Sequence, residues 1–195
     1  MILEQRIYSI LIVNANKNFA DSILPLISNA RYYPIDKAGS INEARRKIAD
    51  RFYDIVLINT PLPDDFGFRF AIDVISSTGS VVLLFVRSDS YDAVYEKAHS
   101  NGIFLLKKPT SINAIEQSLD WLCIMRERMY KMETKLVSLQ EKMNEIKLVN
   151  RAKWVLITNL NMTEEDAHHY IEKQAMDSCV SKRVIAEEIL RIYKD

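Results

Sequence analysis

Short apolar runs recur along the first part of the chain, at Ile7–Val13, Asp54–Asn59, Ser80–Val86 and Ile103–Leu106. They are continuous rather than alternating, the pattern of strands covered on both faces. A more polar stretch, Arg31–Lys37, reads as a strand nearer an edge. Helical segments lie between the runs. SINEARRKIADRF opens with a capping box, Ser40 accepting from the backbone while Glu43 reaches back. Its apolar positions Ile41, Ala44, Ile48 and Phe52 share one helical face. Pro25, inside ADSILPLISNA, predicts a kink or an early stop. Strands alternating with helices in this way predict a parallel α/β sheet with helices on both sides.

From Leu122 the apolar spacing becomes 3, 4, 3, 4: Leu122, Met125, Met129, Met132, Leu136, Leu139, Met143 and Ile146. Neither proline nor glycine interrupts it. The spacing is a heptad seam and predicts dimerisation through a coiled coil, with Asn150 at the next seam position. Three shorter helical patterns follow. Arg151–Leu160 carries Ala152, Leu156 and Leu160. Thr163 caps a helix with the stripe Ala167, Tyr170, Ile171 and Ala175. Ser181 caps a last one carrying Val184, Ile185, Ile189 and Tyr193. The divisions expected are residues 1–120, 121–149 and 150–195.

Composition narrows the functional classes. The 195 residues are 48% apolar, and acids balance bases to a formal net charge of zero. That excludes a generally polybasic or polyacidic protein. Two cysteines without CxxC spacing fit a reducing compartment. No stretch is long and apolar enough to span a membrane, so a cytoplasmic location is expected. His168-His169 lacks a second ligand pair, and no metal site is expected. There is no nucleophile–base constellation and no glycine-rich phosphate loop, so the expectation is a non-enzyme without a cofactor.

ILIVNANKNF, DIVLINTPLPDDFG, VVLLFVRS and FLLKKP, in that order, resemble the receiver domain of bacterial response regulators, a flavodoxin-like fold with a five-stranded parallel sheet. Receivers hold Mg²⁺ with acids after the first strand, where this chain has Asn14 and Ala15. The phosphoryl-accepting aspartate corresponds to Asn59, the switch hydroxyl to Val86 and the switch aromatic to Leu105. The lysine before proline is kept, as Lys108. An amide and a methyl group give Mg²⁺ no anionic oxygen, and a carboxamide is no nucleophile for an acyl phosphate. The resemblance therefore implies a pseudo-receiver, with Asp64 or Asp65 as the remote alternative acceptors. Control by a protein partner or a small ligand would replace phosphorylation.

NRAKWVLITNLNMTEEDAHHYIEKQAMDSCVSKRVIAEEIL resembles the ANTAR domain, the small all-α RNA-binding module of AmiR and NasR-type antitermination regulators. That implies a dimer acting on hairpins in nascent leader RNA. The RNA-contact residues expected on this basis are Arg151, Lys153, Trp154, Lys173, Lys182 and Arg183. Trp154 departs from the glycine common in the family; it would either pack or stack on a base. A protein–protein signalling adaptor and a DNA-binding response regulator are the alternatives, the latter without an obvious recognition helix rich in Arg, Asn and Gln.

Overall fold

The computed structural model describes residues 6–28 and 30–193. In chain order the elements are β1 (Tyr8–Val13), α1 (Lys17–Ile27), β2 (Tyr32–Ala38), α2 (Ile41–Asp50), β3 (Ile55–Asn59), α3 (Phe68–Thr78), β4 (Val81–Arg87), α4 (Ser88–Ser100), β5 (Phe104–Lys108), α5 (Ile112–Leu160), α6 (Glu164–Asp177) and α7 (Lys182–Ile192). The chain divides into two compact units, the boundary falling between Tyr130 and Lys131 within α5.

The first unit is a flavodoxin-like α/β fold. All strand pairs are parallel and the order is β2-β1-β3-β4-β5. The more polar strand β2 lies at an edge, as its composition predicts. Successive strand residues face opposite sides of a sheet, and this sheet has a core on each side. Leu11, Val13, Val56 and Ile58 pack with Ala44 of α2, Phe70 and Val74 of α3 and Ala98 of α4. Ile10, Ile12, Ile55 and Leu57 pack with Ile23 and Ile27 of α1 and with Ile115, Leu119 and Leu122 of α5. The central strands β1, β3 and β4 are largely apolar because both of their faces are covered.

Three details refine the sequence pattern. Helix α1 runs through Pro25 to Ile27. Pro25 is in the last turn and exposed, as is Asp21, whose carbonyl loses its helical donor there; the cost is one bond at a solvent-facing helix end. Helix α2 stops at Asp50, so Phe52 is not on its apolar face but exposed, with the Arg126 guanidinium 5.0 Å from its ring centre. Leu122, the first residue of the expected seam, is fully buried in the first unit beside Cys123, and Met129 packs against the same core. A side chain inserted into its own domain cannot face a second copy, so the seam loses Leu122 and Met129. Met132, Leu136, Leu139, Met143 and Ile146 remain exposed.

The second unit is all-α. Ala152 and Leu156 of α5 pack with Ala167, Ile171 and Ala175 of α6 and with Ile185, Ala186 and Ile189 of α7. Alanine at several of these positions lets helices approach closely. Thr163 and Ser181 cap α6 and α7 as the sequence predicts, accepting from Asp166 and Val184 N–H. Leu160 and Tyr170 were expected on apolar stripes, yet both are exposed.

Candidate functional site

Ligands bind at the carboxyl ends of strands in open α/β sheets. There the first unit gathers Asn14 after β1, Asn59 at the end of β3 and Lys108 at the end of β5. Lys108 Nζ donates to Asn59 Oδ1 at 2.6 Å and to the Thr60 carbonyl. Asn59 Nδ2 donates to Asn14 Oδ1 at 2.8 Å. Asn14 Oδ1 also accepts from Asn16 N–H at 3.0 Å. The amides and the ammonium thus satisfy one another in a line. Burial, and after it the Arg87 guanidinium, pushes the Lys108 ammonium below the ordinary lysine value.

The other expected pocket residues add no polar group. Ala15 is exposed, Val86 is fully buried, and Leu105 packs against the core under α2, α3 and α4. Thr60 carries a hydroxyl beside Asn59, but it donates to the Phe85 carbonyl at 2.9 Å. No group of three or more His, Cys, Asp or Glu side chains suited to a metal occurs among the described residues.

The two acids of the following loop are committed to backbone. Asp64 accepts from Ile41 N–H and Asn42 N–H, both at 3.0 Å. With Ser40 accepting from Glu43 N–H, these bonds satisfy the first turn of α2. Glu43 reaches back to Gly39 N–H, one residue earlier than a capping box requires. Asp65 Oδ1 accepts from Gly67 N–H at 2.7 Å. Gly67 has φ +92°, and a Cβ there would come within 3.0 Å of Ile58 Cγ2, so glycine closes the loop against β3.

The bonds from Ile41 and Asn42 hold the Asp64 carboxyl below its ordinary value. Its contribution to stability is therefore complete above the unfolded carboxylate value of about 3.9 and is lost as pH falls through the lower folded one. The urea midpoint gap between wild type and Asp64→Asn is expected to be widest above about pH 5, to begin narrowing near about pH 4 and to close only as pH falls through the lower folded value. A gap that stays constant down to the acid limit of folding would show that Asp64 is not ionised in its capping role.

In the second unit the structure sorts the expected RNA-contact residues. Lys153 pairs with Glu164 at 3.1 Å, Lys182 with Glu172, and Arg183 with Glu187 at 2.9 Å. The hydrogen bond from Lys182 holds the Glu172 carboxyl below its usual value. Arg151, Trp154 and Lys173 are exposed, and none has an ion pair among the described residues. His168 and His169 lie 3.3 and 3.9 Å from Glu172.

Residues 138–190 match the ANTAR domain family. The chain is 26% identical over 159 residues to the transcriptional regulatory protein PdtaR of Mycobacterium tuberculosis, covering 82% of this chain and 78% of PdtaR. Among solved structures, the signal receiver domain of an HD domain-containing protein from Pseudomonas fluorescens superposes with a TM-score of 0.59. It is 19% identical and covers 67% of this chain and 96% of that one. The chemotaxis response regulator CheY4 of Vibrio cholerae matches with a TM-score of 0.52 and 17% identity, over 60% of this chain and 98% of that one. Residues 138–190 carry an ANTAR domain, behind a unit with the receiver fold.

Response regulators and ANTAR proteins are regulatory families. A structure described as an adenylate cyclase from Rhodopirellula baltica also matches, with a TM-score of 0.61 over 67% of this chain and 97% of that one; at 15% identity it shows the fold alone. None of the regulator's described helices is long and apolar enough to cross a membrane. The sequence missed Asn16, which closes the amide line, and the capping role of Asp64. Asp64 is 23 and 22 residues from the two N–H groups it caps, so no local pattern signals it.

Proposed function

We propose that this regulator acts in the cytoplasm as a dimer that binds hairpins in nascent leader RNA and favours antitermination. The observation that carries the reading is the ANTAR match over residues 138–190. Single-stranded loops are where sequence-specific RNA readout is easiest, because their bases can splay and stack. The exposed cations Arg151 and Lys173 are positioned for phosphate contact, and the paired Lys153, Lys182 and Arg183 contribute after exchanging partners. The exposed row from Met132 to Ile146 supplies the coiled-coil contact, and a dimer presents two modules to two hairpins.

On this reading the receiver-type unit is a pseudo-receiver. Its pocket offers amides and an ammonium where Mg²⁺ and phosphoryl chemistry need carboxylates, so its input is a protein partner or a small ligand. A mobility shift with leader RNA of the neighbouring operon tests the RNA reading. Arg151→Gln combined with Lys173→Gln is expected to weaken binding about tenfold and to flatten the salt dependence by about one to two units of slope. Leu136→Glu with Leu139→Glu is expected to halve the mass seen by sedimentation and to weaken binding to paired hairpins. Failure of concentrated wild-type dimer to shift any hairpin RNA would favour the adaptor reading.

A further inference from the structure

Trp154 is 66% exposed, on the side of α5 away from the core residues Ala152 and Leu156. Among the described residues nothing accepts from its indole N–H. The side chain neither packs nor is anchored, although an exposed tryptophan leaves a large apolar surface in water.

The face of α5 that it shares carries charges of one sign. Lys147, Arg151, Trp154 and Thr158 follow the spacing of one helix face, and Lys147 and Arg151 are exposed. No acid occurs in residues 146–163. The acids that bracket this stretch are directed elsewhere. Glu164 takes Lys153, while Glu141 and Glu145 lie near enough to Arg183 of α7 to help hold its guanidinium protonated, after its stronger hydrogen bond to Glu187. The Thr158 hydroxyl turns back to the Trp154 carbonyl at 2.9 Å.

We infer that Trp154 is a stacking platform for an unpaired nucleobase, with Lys147 and Arg151 holding the flanking phosphates. The inference rests on the RNA-binding reading above and goes beyond it by naming the moiety recognised: a base outside a helix, taken by its face. A bare π-surface beside cations suits single-stranded nucleic acid, since every base presents a π-face and every linkage a negative charge. A paired stem buries its base faces and has nothing to offer the indole.

The test uses the full chain carrying Trp121→Phe, so that Trp154 is the only tryptophan left of two. The probes are a leader hairpin of the neighbouring operon with its loop unpaired, and the same stem as a blunt duplex. The hairpin is expected to quench Trp154 emission by more than half at saturation, and the duplex to leave it unchanged. Trp154→Ala is expected to weaken hairpin binding roughly 5- to 100-fold, with Trp154→Phe retaining most of the affinity. Hairpin binding with unchanged emission, and with equal affinity for Trp154→Ala, would overturn the platform while sparing the RNA reading. Dissociation of the dimer by Trp154→Ala in sedimentation would overturn it too, by assigning the indole to a second copy. Absence of any RNA binding by the wild type would remove the reading beneath it.

Discussion

Asp54→Ala is expected to destabilise the first unit by about 3–5 kcal/mol, read as a lower urea midpoint by circular dichroism. Asp54 Oδ1 accepts from Arg6 Nη2 at 2.8 Å and Arg126 Nε at 3.0 Å, while Oδ2 accepts from Ser9 N–H and the Ser9 hydroxyl, both at 3.0 Å. Both Asp54 and Arg126 are buried, at 6% and 4% exposure. Arg6 Nη1 is 3.6 Å from Glu127 Oε2, near enough for attraction and too far for a hydrogen bond. The Arg6 guanidinium also lies 4.1 Å from the centre of the Tyr130 ring. Removing the carboxylate leaves the Arg126 charge in the interior without that counter-ion, which costs more than the pair was worth. Asp54→Leu with Arg126→Met removes both charges and is expected to recover most of the loss. If the double variant is as unstable as Asp54→Ala, packing rather than charge is the cause.

Incubation with acetyl phosphate and Mg²⁺ is expected to add no phosphoryl mass to the intact wild-type chain. Asn59→Asp alone is expected to behave the same way. The new carboxylate would face Lys108, but Asn14 and Ala15 would still give Mg²⁺ no anionic oxygen, and the ion prefers carboxylates in octahedral array. Adding Asn14→Asp and Ala15→Asp to that change is expected to restore a metal-dependent phosphoryl adduct. Stoichiometric modification of the wild type would refute the pseudo-receiver. Mapping the adduct to Asp64 would show that the α2 cap can be given up to chemistry.

The strands and most helices are legible because burial on both faces leaves a continuous apolar run, and because Ser40, Thr163 and Ser181 are local caps. What is not legible depends on distant partners. Leu122 satisfies the heptad spacing as well as Leu136 does; only the fold shows that one enters the sheet's core and the other stays exposed. Nothing in the surrounding residues marks Arg126 as buried, since its carboxylate is 72 residues away. The pocket residues Asn14, Asn59 and Lys108 do converge, because strand ends are fixed by sheet topology. The cations of the second unit could be named from the sequence, but not sorted into paired and exposed ones. Long side chains choose their partners by geometry that spacing does not encode.

The loop after β3 has a second occupation that bears on its history. Asp64 completes the first turn of α2, and Gly67 lets the chain close against Ile58. On the pseudo-receiver reading the pocket needs no carboxylates, and Asn14 and Asn59 have only to keep the amide line to Lys108. The loop still cannot be shortened without uncapping α2. Selection for folding alone is thus enough to preserve the outline of a phosphorylation site, and that outline is no measure of activity.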